Sequence, residues 1–197
     1  MERILLASAS PRRRDILKML GVPFDLRPTD APEDLPPQTL PADGVAELSR
    51  RKAMAVPDSR RLILAADTMV ALDGLLFGKP RDDREAAEML TALSGRTHSV
   101  FTGVTLRRGG EIVTGVAETH VTFRALTEEE ITSYVASGDS RGKAGAYGIQ
   151  GRGSLLAASI EGDYFNVVGL PVALLVELFA RFGITVPQIL SSGEDTL

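Results

Sequence analysis

A short apolar run at residues 3–7 leads directly into Ser8-Ala9-Ser10-Pro11, and three consecutive arginines follow at positions 12–14. The run predicts a buried strand, and the apolar residues after the arginines recur at the spacing of a helix. Ser10 is a favoured residue immediately before a helix, and Pro11 is favoured as its first residue. The chain must therefore begin with a strand that turns directly into a helix.

Arg12, Arg13 and Arg14 fall in the first turn of that helix, where positive charge is unfavourable. Each cation at a helix N-terminus costs on the order of 0.3–1 kcal/mol. Free backbone amides, the hydroxyls of Ser8 and Ser10, and the guanidinium groups all converge there, which suits a bound anion such as a phosphate chain. We expect Arg12 to be the main ligand, with Arg13 in support and Arg14 as an outer, solvated charge beside Asp15. A solvated basic turn is the alternative.

The composition excludes several classes of protein. The chain has 197 residues, of which 44% are apolar, enough for one large domain or two small lobes. A net charge of −4 argues against binding to nucleic acid or to an anionic membrane. Without cysteine there are no disulfides or thiolate sites, and two histidines do not suggest a zinc centre. We see neither a signal peptide nor a stretch near the ~20 apolar residues of a membrane span, and expect a cytoplasmic protein.

Helical and strand patterns alternate along the chain and predict an α/β fold. Helices are expected at 42–56, 82–93, 127–135 and 171–182, the third opening with a capping box. Asp73-Gly74 and Gly109-Gly110 are hairpin signals, so the sheet should be mixed. We also expect paired strands at 155–160 and 164–168, and a weakly anchored tail from residue 187.

Asp67-Thr68 follows the apolar run 62–66, which has the pattern of a buried strand. Ligand sites of α/β sheets gather at the carboxyl ends of strands, and a carboxylate there can hold a divalent cation or accept a proton from water. An aspartate that caps a turn is the alternative. In Gly78-Lys79-Pro80 the lysine offers a point charge beside a glycine that permits close approach, although an ordinary turn explains the segment equally simply.

Charged residues elsewhere extend the candidate site. Lys52 lies on the apolar face of the helix 42–56, either aimed at a phosphate or extended along apolar surface towards solvent. Asp30, Glu33 and Asp34 lie in a proline-rich loop and can either ligate a metal through hard oxygens or remain solvated.

The glycine-rich segment 137–153 is long for a loop. Within it, Lys143 adds charge, Tyr147 can stack on a base, and the Gln150 amide can pair with a base edge. A mobile glycine-rich loop is the alternative.

Six segments in this order resemble the Maf family of nucleoside triphosphate pyrophosphatases, from about residue 3 to about residue 183. They are Ser8-Ala9-Ser10-Pro11-Arg12-Arg13, Ala66-Asp67-Thr68, Gly78-Lys79-Pro80, Leu93-Ser94-Gly95-Arg96-Thr97-His98, Lys143 to Gly151, and Gly162-Asp163-Tyr164 through Val168-Gly169-Leu170-Pro171.

The resemblance implies a mixed, twisted sheet with flanking helices in two lobes around a cleft, a fold shared with the inosine triphosphate pyrophosphatases. Residues 1–185 would form this domain and residues 186–197 a flexible tail. The implied reaction cleaves a nucleoside triphosphate between the α- and β-phosphates with the help of Mg²⁺ or Mn²⁺, and the implied assembly is a homodimer. The sequence Ala146-Tyr147-Gly148-Ile149-Gln150-Gly151 is similar to the branch that acts on dTTP and UTP.

The resemblance also implies roles for single residues. Asp67 would be the catalytic proton acceptor, Arg12, Thr68 and Gln150 would govern substrate choice, and Lys52 and Lys79 match cleft lysines of the family. Combined with the residue patterns, the predicted substrate ligands are Ser8, Ser10, Arg12, Arg13, Lys52, Thr68, Lys79, Lys143 and Gln150, and the predicted metal ligands are Asp67 and Glu33.

Two alternatives to this activity stay open at this point. The chain can act as a non-catalytic regulator of cell division through protein partners, or as a pyrophosphatase for modified nucleotides.

Overall fold

A computed structural model describes residues 1–57 and 60–192 of the chain. Its strands are β1 (Ile4–Leu6), β2 (Phe24–Leu26), β3 (Ile63–Leu72), β4 (Leu75–Phe77), β5 (Thr97–Arg108), β6 (Glu111–Phe123) and β7 (Ala157–Glu161). Its helices are α1 (Pro11–Met19), α2 (Pro41–Ala55), α3 (Asp83–Leu93), α4 (Glu128–Ala136), α5 (Tyr164–Val168), α6 (Val172–Arg181) and α7 (Val186–Ser192).

The strands form one mixed sheet with the order β2-β1-β3-β5-β6-β7, and β4 pairs with β3. β1 runs parallel to both β2 and β3, whereas the remaining pairs are antiparallel. Helices pack against this sheet, so the predicted α/β fold with a mixed sheet is confirmed. The predicted capping box is also present: the Thr127 hydroxyl accepts from the Glu130 amide, while the Glu130 carboxylate accepts from the Thr127 amide.

β3 is longer than the sequence predicted. The expected strand 62–66 and the first hairpin arm are one continuous strand of 10 residues, so Asp67 and Thr68 lie within β3 and not after it. The reason is a change of partners: β1 pairs with β3 only near Ile63 and Leu64, while β5 continues alongside it to Ala71. The strand was predicted to end before Asp67, close to where the parallel pairing with β1 ends. Pairing with the antiparallel strand β5 extends β3 beyond that point.

Alternation along β3 separates two environments. Ile63 and Ala65 face a small cluster formed with Ala53 and Val56, at the end of α2. Leu64 and Ala66 face the large core on the opposite side, which α1, α3, α4 and α6 help to build. Because successive side chains of a strand point to opposite faces, Asp67 belongs to the α2 face and Thr68 to the core face.

The C-terminal third corrects the expectation of two paired strands. Only β7 of the two expected strands at 155–168 forms, and it pairs with β6. Residues 164–168 are helix α5 instead, because the Asp163 carboxylate accepts from the Phe165 amide and caps a short helix.

The expected tail contains helix α7, whose Ile189 side chain is buried. Residues 193–197 lie outside the described part of the chain. No single helix within 1–57 and 60–192 has the length and hydropathy to cross a membrane, and α6 with α7 meets that test only as a pair bent by 107°.

Candidate active site

An ionic cluster covers the α2 face of β3. Lys52, on α2, donates to Asp67 Oδ1 at 2.5 Å and to Glu33 Oε1 at 2.7 Å. Gly103 is the cross-strand neighbour of Asp67 on β5. A Cβ on Gly103 would lie 2.2 Å from the carbonyl oxygen of Val45 on α2, so the missing side chain is what lets this helix approach the sheet. The close approach brings Lys52 to the carboxylate.

Glu33 comes from the proline-rich loop and joins two lysines. Its second carboxylate oxygen lies 3.7 Å from Lys79 Nζ, across the cluster from Lys52. The hydrogen bond from Lys52, together with the charges of both lysines, lowers the pKa of Glu33 despite its partial burial. Glu33, Lys52, Asp67 and Lys79, predicted separately, therefore form one connected group.

The two carboxylates fit a divalent cation. Both already direct an oxygen at a single cationic atom, Lys52 Nζ, so they converge on one position. Mg²⁺ and Mn²⁺ prefer such hard oxygen donors, and Mg²⁺ is usually held by one or two carboxylates together with substrate phosphates. Within the described ranges no group of three or more Asp, Glu, His or Cys side chains forms. A cation held by Glu33 and Asp67 would therefore need further donors, such as the oxygens of a phosphate chain.

Arg13 connects three elements on the core face. Its Nε donates to the Gly169 carbonyl at 2.8 Å, Nη1 to the Ser8 hydroxyl at 3.1 Å, and Nη2 to Thr68 Oγ1 at 3.1 Å. Burial lowers the pKa of Arg13 to about 10, with the nearby charge of Asp67 opposing the shift, so the side chain stays protonated at neutral pH. Three of the five N–H donors of Arg13 are thus committed to the protein.

The strand–helix turn has the predicted form with one difference. Ser10 occupies the residue before α1 and Pro11 begins the helix, but the Ser10 hydroxyl makes no capping bond. Its amide donates instead to the Ser8 hydroxyl at 3.2 Å. Arg14 Nε is buried without a hydrogen-bond partner among the described residues, so Arg14 is not the fully solvated charge that we expected.

Arg12 faces the glycine-rich segment. Burial lowers the pKa values of Arg12 and Lys143, and the charge of Arg12 lowers that of Lys143 further. Gly148 lies between them: a Cβ there would contact the Lys143 chain at 3.0 Å and approach Arg12 Nη1 to 3.9 Å. The Gly148 amide donates to the Tyr134 hydroxyl at 3.3 Å, which ties the segment to α4. Arg12 and Lys143 therefore form a basic pair near α1, in addition to Lys52 and Lys79 beside Glu33.

The glycine-rich segment is structured, and its two candidate base-binding side chains, Tyr147 and Gln150, lie in different environments. It contains 3₁₀ turns at Ala144–Ala146 and Gly151–Leu155. Gln150 is exposed and makes no hydrogen bond to another described residue, which leaves its amide free. Tyr147 is buried instead of available for stacking on a base, because its hydroxyl lies 2.8 Å from His98 Nε2 and its ring packs against Phe123.

Residues that support Arg13 and Thr68 on the core face were not predicted from the sequence. The Thr102 hydroxyl contacts Thr68, the Gly169 carbonyl accepts from Arg13, and the Asn166 carbonyl accepts from Thr102, but no role was predicted for these three residues. Polar residues inside apolar strands, such as Thr102, were the available signal. A sequence pattern does not show which of several strand threonines faces the site.

Comparison with known proteins identifies the family of the chain. Residues 3–182 match the family described as Maf-like protein. The chain belongs to the Maf family. A Maf relative from Moorella thermoacetica (strain ATCC 39073 / JCM 9320), named dTTP/UTP pyrophosphatase, is 52% identical over 191 residues, covering 94% of this chain and 98% of the relative. A relative of the same name from Bacillus cereus (strain AH820) is 46% identical over 188 residues, with the same coverage.

Proposed function

We propose that this Maf chain is a cytoplasmic pyrophosphatase that hydrolyses dTTP and UTP to the nucleoside monophosphate and pyrophosphate. One observation carries the proposal: two carboxylates and five basic side chains gather around the first turn of α1 and the middle of β3. Relatives named dTTP/UTP pyrophosphatase support the choice of substrate.

Ser8 is arranged to donate a hydrogen bond to phosphate. Its buried hydroxyl oxygen already accepts from the Ser10 amide and from Arg13, which uses both of its lone pairs. The hydroxyl hydrogen is the capacity that remains, and a phosphate oxygen is a suitable acceptor. The unpaired amides at the start of α1 and the charges of Arg12, Lys79 and Lys143 add to the attraction. The phosphate chain would therefore lie across the first turn of α1.

Asp67 is the proposed proton acceptor for the attacking water. In the free protein, one of its oxygens holds the ammonium group of Lys52. A bound phosphate chain offers that ammonium a competing anion, and this releases the Asp67 oxygen to orient a water molecule. Positioning and charge neutralisation then supply most of the acceleration, as in other phosphoryl transfers.

Glu33 and Asp67 would hold the divalent cation, Mg²⁺ or Mn²⁺. When bound, such a cation neutralises charge on the phosphate oxygens and makes the phosphorus more electrophilic. The two carboxylates contribute by lying on the same side of β3 within reach of one position.

Substrate choice is assigned to Arg12, Thr68 and Gln150. The exposed Gln150 amide has both a donor and an acceptor for the edge of a pyrimidine. Thr68 lies on the core face, held by Arg13, and presents one oxygen. These two side chains would recognise the base while Arg12 binds the phosphates next to it.

The test is release of pyrophosphate from UTP, dTTP, 5-methyl-UTP, CTP and 7-methyl-GTP, with Mg²⁺ or Mn²⁺ and with chelator. We expect fastest turnover of UTP or dTTP, a monophosphate product, and loss of activity in chelator. Preference for 5-methyl-UTP would assign the chain to modified pyrimidines instead. The absence of pyrophosphate from every nucleotide would contradict the proposal and favour a non-catalytic regulator. Light scattering of the same sample would test the homodimer.

A further inference from the structure

A chain of hydroxyl groups crosses the core face from Arg13 to helix α5. Thr68 Oγ1 lies 3.1 Å from Arg13 Nη2 and 3.0 Å from Thr102 Oγ1. Thr102 Oγ1 in turn lies 3.1 Å from the carbonyl oxygen of Asn166. Thr68 and Thr102 are directly opposite each other in the β3–β5 ladder, so the sheet itself sets their contact.

The direction of the hydrogen bond is fixed at each end of this chain of hydroxyl groups. A guanidinium group only donates, so Arg13 donates to Thr68, and a carbonyl only accepts, so Thr102 donates its single hydrogen to Asn166. Thr102 is fully buried and has no other hydrogen to offer. Thr68 must therefore donate its own hydrogen to Thr102. Every hydrogen bond in the chain then runs from Arg13 towards α5.

We infer that Thr102 is a positioning residue that makes Thr68 an acceptor of hydrogen bonds, and never a donor, towards the substrate. The inference rests on the proposed function, in which Thr68 faces the base. With its hydrogen committed to Thr102 and one lone pair committed to Arg13, Thr68 Oγ1 retains one lone pair. Selectivity is then decided by a buried residue that does not itself contact the substrate.

Space beside Thr68 is kept open by Gly169. A Cβ at this position would lie 3.4 Å from Thr68 Oγ1 and 3.8 Å from Arg13 Nε and Nη2. Its φ of +119° is also one that side-chain-bearing residues rarely adopt. A side chain at residue 169 would therefore contact the Thr68 hydroxyl, and glycine leaves that space unfilled.

An acceptor at this position discriminates among bases. The N3 atom of uracil and thymine carries a hydrogen, which an acceptor-only hydroxyl can receive. The N3 atom of cytosine is itself an acceptor, so it would oppose the lone pair of Thr68 without a hydrogen between them. Thr102 would in this way favour UTP and dTTP over CTP, because a mismatched polar contact in a desolvated site is costly.

Thr102→Val tests the inference, because valine preserves the shape and removes the hydroxyl. The Asn166 carbonyl keeps its bond from the Gly169 amide at 3.0 Å, so no backbone acceptor is left without a partner. The freed Thr68 hydrogen can then be donated to cytosine. We expect the ratio of kcat/KM for UTP to that for CTP to fall about tenfold, the effect of one hydrogen bond. Thr102→Ser, which restores the hydroxyl, should restore the ratio.

Thr105→Val is the matched control. Thr105 lies on the same strand, is equally buried, and its hydroxyl bonds Ser49 and Thr114, each at 2.9 Å, on the opposite face. We expect a comparable loss of stability and an unchanged UTP to CTP ratio. Thr102→Ala replaces Thr102→Val if the valine variant does not fold.

An unchanged ratio in folded variants that lack the Thr102 hydroxyl would overturn the inference. Equilibrium binding of UTP and CTP to the same proteins without metal gives the ratio independently of turnover. If the unaltered protein releases no pyrophosphate, the proposed function fails. A preference for UTP in binding that Thr102→Val weakens would still support the role of Thr102.

Discussion

Two successive positions of the β3–β5 ladder carry different chemistry. The pair Asp67–Gly103 faces α2, where Lys52 and Glu33 complete an ionic cluster. The next pair, Thr68–Thr102, faces the core, where Arg13 completes a chain of neutral and charge-assisted hydrogen bonds. A single step along the strand therefore separates proposed bond cleavage from proposed base recognition.

One sheet can support both proposed tasks because its two faces carry different side chains. In the proposed function the ionic face is rearranged, because its lysines and carboxylates would exchange partners with the phosphate chain and the cation. The hydroxyl face is built to stay fixed, because Thr102 is fully buried and each of its contacts has a defined direction. We therefore expect substitutions on the ionic face to lower turnover, and substitutions of Thr102 to change the ratio of kcat/KM for UTP to that for CTP.

The largest effect should come from Asp67→Asn, which keeps the shape and removes the proton acceptor. We expect kcat for UTP to fall by about 10³-fold, within the range for loss of general base catalysis, with nucleotide affinity largely retained. Pyrophosphate release and equilibrium binding measure the two quantities. Asp73→Asn, at the exposed turn between β3 and β4, should leave both nearly unchanged; near-normal turnover in Asp67→Asn would refute the assigned role.

Lys52→Met should follow in magnitude. It removes the cation shared by Glu33 and Asp67, and we expect kcat/KM for UTP to fall by about 100-fold, the upper range for a charged hydrogen bond. Arg50→Met removes one positive charge from the same helix at an exposed position. Steady-state kinetics of the two variants separate a local role of Lys52 from a general loss of charge. A general loss of charge would lower kcat/KM equally in both variants.

Arg13→Lys should weaken the hydroxyl face. A lysine cannot reproduce the planar fork that bonds Gly169, Ser8 and Thr68 together, so we expect kcat/KM to fall about tenfold. Arg14→Lys is the neighbouring control and should change kcat/KM by less than about twofold. An unchanged kcat/KM in Arg13→Lys, which keeps the positive charge, would mean that Arg13 contributes only its charge and not the geometry of its hydrogen bonds.

The smallest effect concerns stability and pH. His98, on the same face of β5 as Thr102, has its pKa lowered by burial to about 4, below its ordinary value of 6.5. Between these values the unfolded state binds the extra proton, so stability falls as pH decreases. From pH 7 to pH 5.5 the loss in the free energy of unfolding should be about 1 kcal/mol. Urea denaturation at both pH values measures it, and His98→Asn should remove this share; an unchanged pH dependence in that variant would contradict the assignment.

Much of the fold followed from local signals in the sequence. Ser10-Pro11 marked the start of α1, the Thr127 capping box marked the start of α4, and glycine pairs or Asp-Gly marked both hairpins. These signals depend on neighbouring residues, so they can be read without the tertiary structure. Residues 164–168 were predicted as a strand, because their apolar pattern suits a strand as well as a helix. The structure shows that Asp163 caps a helix there. The predicted division into two lobes stays a prediction.

For the site, the sequence showed which residue types were available: the arginines at the start of α1, Asp67, the lysines and Glu33. The sequence did not show that Lys52 joins Glu33 to Asp67, that Arg13 is bound to the protein at three points, or that Tyr147 belongs to the core. The reason is that these contacts join residues far apart in the chain, through the register of β3 with β5 and the close approach of α2 over Gly103. A local pattern specifies neither, because register and helix approach are set by the packing of the whole sheet.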